Sequence, residues 1–375
     1  MNSTKMVLPG QTIGIIGGGQ HGRMLALAAK KLGFSVGVLD AKLNGSAAQV
    51  ADWQIQASCN NPEAIRHMAE KCDVLTYEFK EVDIDLLASV ENKVRIPQGL
   101  EVLTITQDRS LEKAFLEANK INIAPYAVVI DTLDIEKAVE SIGFPCVLKT
   151  ARNSHEGRDQ VVMYEEEDIH LCQEILKRGV GVLEAWIPFE RELAVTIARN
   201  QQGQVSILPV SENNHRLNIL HQSIVPARID GDVYEEAQRL GKQIAEGMQL
   251  VGVLGIEMLM TSSGTIYVNE LIPHPHHAGY YSIEACDFSQ FELHIRGICG
   301  WPLPEVQLLQ PAVTVNILGS YLEDVYAQIA LQPDWHFHFY GEDSIGAIKQ
   351  MGHVTVLANQ TEQALQAIKY SEIWD

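Results

Sequence analysis

Positive charge and long apolar runs are both scarce in this sequence of 375 residues. Lysine and arginine together number 28 against 48 aspartates and glutamates, which leaves a formal net charge of −20. Such an acidic surface suits neither nucleic acid nor an anionic membrane, so we expect neither as a partner. Anionic small molecules are not excluded, because they require only a local group of basic side chains and backbone N–H donors.

Closely spaced cysteines are also missing, since no two of the six stand in a CxxC pattern. This spacing is typical of reduced thiols in the cytosol. No apolar run approaches the length of a membrane span, and the first residues, MNSTKMVLPGQT, lack the apolar segment of a secretion signal. We therefore expect a cytoplasmic protein. The cysteines are Cys59, Cys72, Cys146, Cys172, Cys286 and Cys299.

The remaining composition, 46% hydrophobic and 20% charged, is typical of soluble globular proteins, and the length predicts two or three domains. Over the first hundred residues, strand-like runs such as TIGIIGGG and SVGVLD alternate with helix-like runs such as HGRMLALAAKKLG. This alternation predicts an α/β domain with a doubly wound parallel sheet.

After the turn in IPQGLEVLTITQDRS the pattern becomes α+β, so we place the first domain boundary near residue 105. The last sixty residues contain short strand-like runs and predict a small C-terminal β-rich lobe. Helices are predicted at 110–120, 165–178 and 232–248, and strands within 145–163, 181–210, 251–260 and 265–271. The predicted domains are 1–105, 106–305 and 306–375.

The segment GGGQHG, from Gly17 to Gly22, fits the G-x-G-x-x-G pattern between a strand and a helix. Glycines let the backbone approach a phosphate closely, and a helix start offers unpaired N–H groups. Asp40 ends the next strand, where a dinucleotide-binding enzyme holds ribose hydroxyls. Three interpretations stay open here: a nicotinamide dehydrogenase, a site for a single phosphate, and a tight turn without a ligand.

The segment FPCVLKTARNSHEGRDQVVM places Lys149 at the end of an apolar strand, before a polar loop with one glycine. A lysine there can contact nucleotide phosphates while the loop folds over them, although strand-end lysines are usually only solvated. Farther along, the connector from Glu184 to Ile187 can meet an adenine edge with its backbone and carboxylate. Glu192 begins a stretch that can reach a ribose.

Two strand-like runs, GVLGIEMLM and TIYVNEL, are joined by TSSG and predict a hairpin. A turn near Ser262 and Ser263 puts Glu257 and Glu270 on one face, directly opposite or diagonal. Two carboxylates within apolar strands repel each other unless a cation lies between them. With the Asn269 amide beside them, these hard oxygen ligands suit Mg²⁺ carrying a nucleotide triphosphate, while solvated glutamates are the alternative.

The stretch VNELIPHPHHAGYYS brings His274, His276 and His277 together after this hairpin. A transition-metal site is one interpretation. Three histidines within four residues of a proline-containing loop cannot readily converge on one ion, and no cysteine or spare carboxylate completes a tetrahedral set. For any single one of the three, an ordinary surface or packed histidine is the more favoured interpretation.

The sequence resembles the N5-carboxyaminoimidazole ribonucleotide synthetases, which are the ATPase subunits of phosphoribosylaminoimidazole carboxylase and ATP-grasp enzymes of purine synthesis. The resemblance covers the chain from about residue 12 to about residue 357 and replaces the dehydrogenase interpretation. Its blocks, in order, are GIIGGGQHGRM, YEF, QDR, LKT with a following EG and Q, ERELAV, ENNHR, ILHQSIVPA, VNE, PHPHHAG, SIEACDFSQFELH and MGH.

The resemblance implies a doubly wound pre-ATP-grasp domain, a two-lobed ATP-grasp domain that holds ATP between its lobes, and a small C-terminal domain. It implies Mg²⁺, with Mn²⁺ as an alternative, on Glu257 and Glu270, and a homodimer. The implied ATP contacts are Arg109, Lys149, Ser154, His155, Glu156, Gly157, Arg158, Asp159, Gln160, Glu184, Ala185, Trp186, Ile187, Glu192, His215, Asn269 and Glu270.

The activity that the resemblance implies begins with attack of bicarbonate on the γ-phosphate of ATP, which gives carboxyphosphate. Carbon dioxide is then released beside the exocyclic amine of aminoimidazole ribonucleotide. The implied phosphate loop for that ribonucleotide is Gly17, Gly18, Gly19 and Gly22. The implied catalytic and substrate residues are Gln20, Glu78, His155, Glu156, Arg158, His274, His276, His277 and Lys349.

Departures from the family pattern concentrate around this second substrate. His274 stands in place of an arginine and Gln350 in place of a lysine, so up to two fixed positive charges are lost. Because a histidine titrates near neutrality, we expect catalysis to be favoured on the acidic side of neutral pH. A ligase for another amine or carboxylate, and a non-catalytic nucleotide-binding relative, remain alternatives. The other substitutions are His155 for Tyr, Glu156 for Asp, Asp159 for Gly, His277 for Asn, Lys349 for Arg and His21 for Leu.

Overall fold

The computed structural model describes residues 6–152, 160–216, 219–342 and 346–374. Within these ranges, every helix is too short or too polar to cross a membrane. Three β-sheets organise the described residues, and helices cover the faces of the first sheet.

The first sheet is parallel with the strand order β3-β2-β1-β4, which confirms the predicted doubly wound pattern. The helix that follows β1 begins at Gln20, directly after the glycines. The strands are β1 (Thr12–Ile16), β2 (Ser35–Asp40), β3 (Trp53–Gln56) and β4 (Val74–Tyr77), and the helices are α1 (Gln20–Lys31), α2 (Pro62–Lys71), α3 (Ile84–Ala88) and α4 (Leu100–Thr106).

The second sheet is a small antiparallel one with the order β5-β8-β6-β7. Asp108 caps the helix that precedes it by accepting hydrogen bonds from the amides of Ser110 and Leu111, so Arg109 occupies the first helical position. The elements are α5 (Arg109–Ala118), β5 (Tyr126–Val129), α6 (Thr132–Ile142), β6 (Cys146–Thr150), β7 (Gln160–Met163), a 3-10 turn (Glu166–Cys172), α7 (Gln173–Leu176) and β8 (Gly181–Ala185).

The third sheet has nine strands, eight of them in the order β14-β13-β9-β11-β12-β15-β17-β16, with β10 paired to β9. Its strands are β9 (Phe189–Arg199), β10 (Val205–Ile207), β11 (Ser211–Arg216), β12 (Ile219–Val225), β13 (Gly252–Thr261), β14 (Ile266–Ile272), β15 (Ala312–Leu318), β16 (Trp335–Phe339) and β17 (Gln350–Leu357). Its helices are α8 (Gly231–Gly247), α9 (Ser282–Ala285), α10 (Gln290–Ile298), α11 (Leu322–Ile329) and α12 (Thr361–Tyr370).

The C-terminal lobe differs from its prediction in two ways. It contains the helices α11 and α12 as well as strands, and its strand β15 pairs with β12 of the preceding part. One sheet therefore runs across the boundary predicted at residue 305.

The predicted helix at 165–178 is a 3-10 turn followed by only one short α-helix. The predicted domain limits at 105 and 305 stay predictions.

The N-terminal sheet shares its core with the later chain. Ile13 and Ile15 of β1 belong to the same buried cluster as Phe291 and Ile295 of α10, and Tyr340 joins this cluster from the C-terminal lobe. Burial of such side chains stabilises the fold by about 1.5–3 kcal/mol each. The packing holds the carboxyl ends of β1 and β4 against the third sheet, where the candidate site lies.

Candidate active site

A cavity of about 490 Å³ lies between the second and third sheets and extends to the N-terminal glycine turn. Its walls come from residues that are far apart in sequence, from His21 to Gln350. The sequence-predicted residues that line it are Glu78, Arg109, Lys149, Gln160, Glu184, Ala185, Trp186, Ile187, Glu192, His215, Glu257, Asn269, Glu270, His274, His276 and His277. The predicted residues Ser154, His155, Glu156, Gly157, Arg158 and Asp159 lie outside the described residues.

The hairpin β13–β14 carries the acid pair. Glu257 and Glu270 are direct cross-strand partners, as the predicted turn position requires. The register then shifts, because Met258 pairs with Val268, which leaves Asn269 as the extra residue of a β-bulge. The bulge turns the Asn269 side chain toward the cavity, where its Oδ1 accepts a hydrogen bond from Lys149 Nζ at 3.4 Å.

The two carboxylates have opposite electrostatic surroundings. Burial and the charge of Glu270 raise the pKa of Glu257 to about 7. Burial also acts to raise the pKa of Glu270, but Lys80 and Arg109 outweigh it and hold that pKa well below its usual range. At neutral pH Glu270 is therefore ionised and Glu257 is only partly protonated, so a cation is favourable between the two carboxylates.

The donor set of this pair fits Mg²⁺. Two carboxylates and the Asn269 amide supply hard oxygen atoms, which Mg²⁺ prefers, and it takes its other ligands from water and phosphate. Among the described residues there is no cluster of three or more His, Cys, Asp or Glu side chains able to hold a metal by itself.

A group of buried cations faces the acid pair. Lys149, Lys113 and Arg109 approach the Glu184 carboxylate at 3.3, 3.2 and 3.6 Å, respectively. Burial acts to raise the pKa of Glu184, but Lys149, Lys113 and Arg109 together lower it to about 2. In this structure the Glu184 oxygens face these cations, and the contact of this carboxylate with an adenine edge stays a prediction. With Lys80, which pairs with Glu270, these cations outnumber the two ionised carboxylates Glu184 and Glu270 and leave positive charge for phosphates.

Past Glu184, the connector becomes apolar. Ala185, Trp186 and Ile187 line the cavity together with Val147 and Met258, which form suitable walls for a nucleobase. The amides of Ala185 and Trp186 donate to the carbonyls of Pro125 and Pro145 at 2.8 and 3.1 Å, which anchors the connector.

At the same end of the cavity, the side chains of Glu192 and His215 form a hydrogen bond between neighbouring strands. Each side chain is about one quarter exposed, so a ribose or phosphate can reach it.

The N-terminal glycine turn is already used by the chain itself. Gly17 N donates to Leu39 O at 2.9 Å, and Gly18 N donates to Asp40 Oδ2 at 2.8 Å. The amides of Gly19 and Gly22 both donate to the Glu78 carboxylate. These four amides therefore already have partners within the chain, two of which are carboxylates, and the binding of a phosphate at this turn stays a prediction.

Glycine is required in this turn for two reasons. Gly17 has φ of +109°, a conformation that other residues rarely adopt. A Cβ at Gly22 would lie 2.8 Å from the Gly17 carbonyl oxygen. Enclosed between these residues, the Glu78 side chain is buried, and burial raises its pKa to about 7.

The histidine loop lies against the glycine turn and forms the other end of the cavity. The rings of His21 and His277 lie 4.6 Å apart, and those of His21 and His274 lie 5.4 Å apart. Burial lowers the pKa of His274 to about 4 and that of His277 to about 3, so both are neutral at pH 7. The expectation that His274 titrates near neutrality is therefore wrong.

Two glutamines complete this end. Gln20 Nε2 donates to Gln350 Oε1 at 2.8 Å and lies 3.2 Å from His277 Nε2. Lys349, which precedes Gln350, pairs with Glu342 at 2.5 Å. We call His21, His274, His276, His277, Gln20 and Gln350 the acceptor group. Its members come from the N-terminal, central and C-terminal parts of the chain.

Several lining residues were missed from sequence. Lys80 pairs with Glu270 at 2.5 Å, and Lys113 is completely buried against Glu184. Glu112 accepts a hydrogen bond from the amide of Leu271 at 3.1 Å. The signals were present, because Lys80 follows the carboxyl end of a parallel strand and Lys113 lies one helical turn after Arg109.

Two lobes that enclose a cavity lined by buried lysines and an acid pair are the arrangement of an ATP-grasp enzyme, and comparison with protein families agrees. Residues 114–291 match the ATP-grasp domain, and residues 10–107 match the ribonucleotide synthetase preATP-grasp domain. Residues 312–367 match the phosphoribosylaminoimidazole carboxylase C-terminal domain.

Comparison with individual proteins identifies the family within the ATP-grasp enzymes. The chain is 40% identical over 366 residues to the N5-carboxyaminoimidazole ribonucleotide synthase of Bacillus subtilis, which covers 98% of this chain and 96% of the relative. An ADP complex of an N5-carboxyaminoimidazole ribonucleotide synthetase matches with a TM-score of 0.96 and 43% identity, over 99% of both chains. An Aspergillus clavatus N5-carboxyaminoimidazole synthase solved with ADP and 5-aminoimidazole ribonucleotide matches with a TM-score of 0.91 and 29% identity, over 98% of this chain and 99% of that one. The chain belongs to the N5-carboxyaminoimidazole ribonucleotide synthase family of ATP-grasp ligases.

Proposed function

We propose that this protein uses ATP and bicarbonate to carboxylate 5-aminoimidazole ribonucleotide, giving N5-carboxyaminoimidazole ribonucleotide, ADP and phosphate. The observation that carries this proposal is one cavity that joins a phosphate-directed cation group and an acid pair to the acceptor group. Phosphoryl transfer and amine carboxylation can then take place without release of an intermediate.

The nucleotide end would position the γ-phosphate. Lys149 and Arg109 neutralise its charge, and Glu257 with Glu270 and Asn269 would hold Mg²⁺, which stabilises negative charge on the transferred phosphate when bound. An oxygen of bicarbonate attacks the γ-phosphorus and the bond to ADP breaks. The protein's task in this step is to align the two anions and to exclude water.

The acceptor end would receive carbon dioxide after carboxyphosphate breaks down to carbon dioxide and phosphate. The exocyclic amine nitrogen then forms a bond to that carbon and loses a proton. Burial and the neighbouring histidines lower the pKa of His276 well below its usual range, so its imidazole is neutral and adds no charge beside the amine. His276 Nε2 lies 3.5 Å from Glu257 Oε1, which places this imidazole beside the acid pair.

A second candidate function is an ATP-grasp ligase for a different amine. It is favoured by the neutral character of the acceptor group, where His274 and Gln350 bring no fixed charge to bind an anionic substrate. In both cases we propose a cytoplasmic homodimer. The six cysteines are free thiols, which supports a reducing compartment, and the homodimer rests on the family resemblance.

The test is phosphate release from ATP in the presence of Mg²⁺ and bicarbonate, with and without 5-aminoimidazole ribonucleotide, and with a panel of other amines. We expect the ribonucleotide to stimulate turnover and its carboxylated product to be detected by mass spectrometry. Stimulation by another amine alone would establish the second candidate. Binding of ATP without turnover for any amine would contradict both.

A further inference from the structure

Lys80, which comes from the N-terminal sheet, contacts the acid pair of the third sheet. Its Nζ lies 2.5 Å from Glu270 Oε1, and Arg109 Nη2 lies 3.4 Å from Glu270 Oε2. Each oxygen of this carboxylate therefore already has a cation.

The position of Lys80 is fixed by its own backbone. Gln107 Nε2 donates to the carbonyl oxygens of Lys80 and Val82 at 2.6 and 2.7 Å, which holds the loop after β4 against the start of α5. The Lys80 side chain is 18% exposed and that of Glu270 is 24% exposed. An ion pair of this kind, anchored and partly buried, is held more firmly than a surface pair.

Lys80, Arg109 and Glu270 also separate two cavities. A second cavity of about 280 Å³ lies on their other side, and these three residues together with Glu81 line both cavities. Its remaining wall includes Gln107 and Glu112. A Lys80 ammonium that leaves Glu270 therefore has an open, polar space beside it, so it can move without displacing packed side chains.

We propose that Lys80 is an internal counter-ion. Its ammonium group pairs with the Glu270 carboxylate until a divalent cation binds that carboxylate and displaces it. The inference rests on the proposed metal site at Glu257 and Glu270. A divalent cation on Glu270 Oε1 and an ammonium on the same oxygen repel each other, so binding of one weakens binding of the other. Lys80 keeps the Glu270 carboxylate oriented before the nucleotide arrives. When a metal displaces Lys80, the loop after β4, which carries this lysine, is coupled to metal binding.

This proposal predicts the direction of a mutational effect. Lys80→Gln removes the competing charge, so the enzyme–ADP complex should bind Mn²⁺ about tenfold more tightly than the parent does. Lys80→Arg keeps the charge and should bind Mn²⁺ as weakly as the parent. If Lys80 served only to orient Glu270, its loss would weaken Mn²⁺ binding instead.

The measurement is Mn²⁺ titration of the full-length protein with saturating ADP, followed by electron paramagnetic resonance. Lys30→Gln is the matched control, because Lys30 pairs with Asp52 on the N-terminal part and its loss changes the net charge equally. We expect this variant to bind Mn²⁺ as the parent does, and thermal unfolding verifies that each variant is folded.

The Glu270→Gln variant distinguishes failure of the proposed metal site from failure of the counter-ion role. If Mn²⁺ affinity is the same in the parent and in Glu270→Gln, the proposed metal site is wrong and the role of Lys80 falls with it. If Glu270→Gln loses Mn²⁺ while Lys80→Gln binds Mn²⁺ no better than the parent, the metal site stands and the counter-ion role is overturned.

Discussion

His276 Nε2 lies 3.5 Å from Glu257 Oε1, so the acceptor group and the acid pair meet at one contact. Gly255, two residues before Glu257 on β13, allows this approach, because a Cβ there would lie 2.9 Å from the His276 Cβ. The two ends of the cavity are thus within reach of each other. A reactive intermediate formed beside the acid pair would have only a short distance to travel to a substrate at the acceptor group.

Loss of the acid pair should abolish turnover without unfolding the protein. Glu270→Ala leaves a metal with one protein carboxylate, so we expect kcat to fall by at least about a hundredfold. The check is phosphate release alongside circular dichroism, with the exposed Glu246→Ala of helix α8 as a control. Turnover at the parent's rate in Glu270→Ala would refute the assignment.

Lys149 should act as a phosphate contact. Lys149→Met removes one of the three cations around Glu184, so we expect ADP affinity to drop about tenfold while the apolar stem keeps its packing. Isothermal titration calorimetry measures this directly. Unchanged ADP affinity and unchanged turnover would mean that Lys149 only neutralises Glu184.

The acceptor group should contribute little to the pH dependence of the reaction rate near neutrality. Burial lowers the pKa of His274 to about 4 and that of His277 to about 3, so neither changes charge between about pH 6 and about pH 8. We expect a rate with the ribonucleotide that does not rise toward pH 6 on account of these groups. A rate that rises on acidification in the parent and is flat in His274→Gln would contradict this.

Restoring fixed charge at the acceptor end tests which amine the pocket serves. His274→Arg combined with Gln350→Lys should raise the rate with bicarbonate and 5-aminoimidazole ribonucleotide, because both cations face an anionic substrate. His67→Arg with Gln363→Lys adds equal charge on exposed surface and serves as the control. A double variant no faster than the parent at any pH would favour another acceptor.

Stability should fall as pH rises through the mildly acidic range. Glu257 has a pKa raised from 4.5 to about 7, so the folded protein holds a proton that the unfolded chain releases at lower pH. The stabilisation is present below about pH 4.5 and is lost by about pH 7. Glu257→Gln should therefore show a smaller decrease in melting temperature between pH 5 and 8, as measured by calorimetry at about one-unit intervals. An identical slope in both proteins would contradict the raised pKa.

Local patterns in the sequence were sufficient for much of the fold and part of the site. Alternating runs predict the parallel sheet, and the TSSG turn puts Glu257 opposite Glu270, because hairpin register follows from turn position. Lys149 at a strand end was likewise visible. These features depend on residues that are neighbours in sequence, where periodicity and turn chemistry determine the geometry.

Only the tertiary structure decided how those parts meet. Glu78 fills the glycine turn, Lys80 pairs with Glu270, and β12 pairs with β15 to extend one sheet into the C-terminal lobe. Burial also makes His274 neutral. Each of these depends on contacts between distant segments and on the desolvation that follows from them, and neither quantity is encoded in a local pattern.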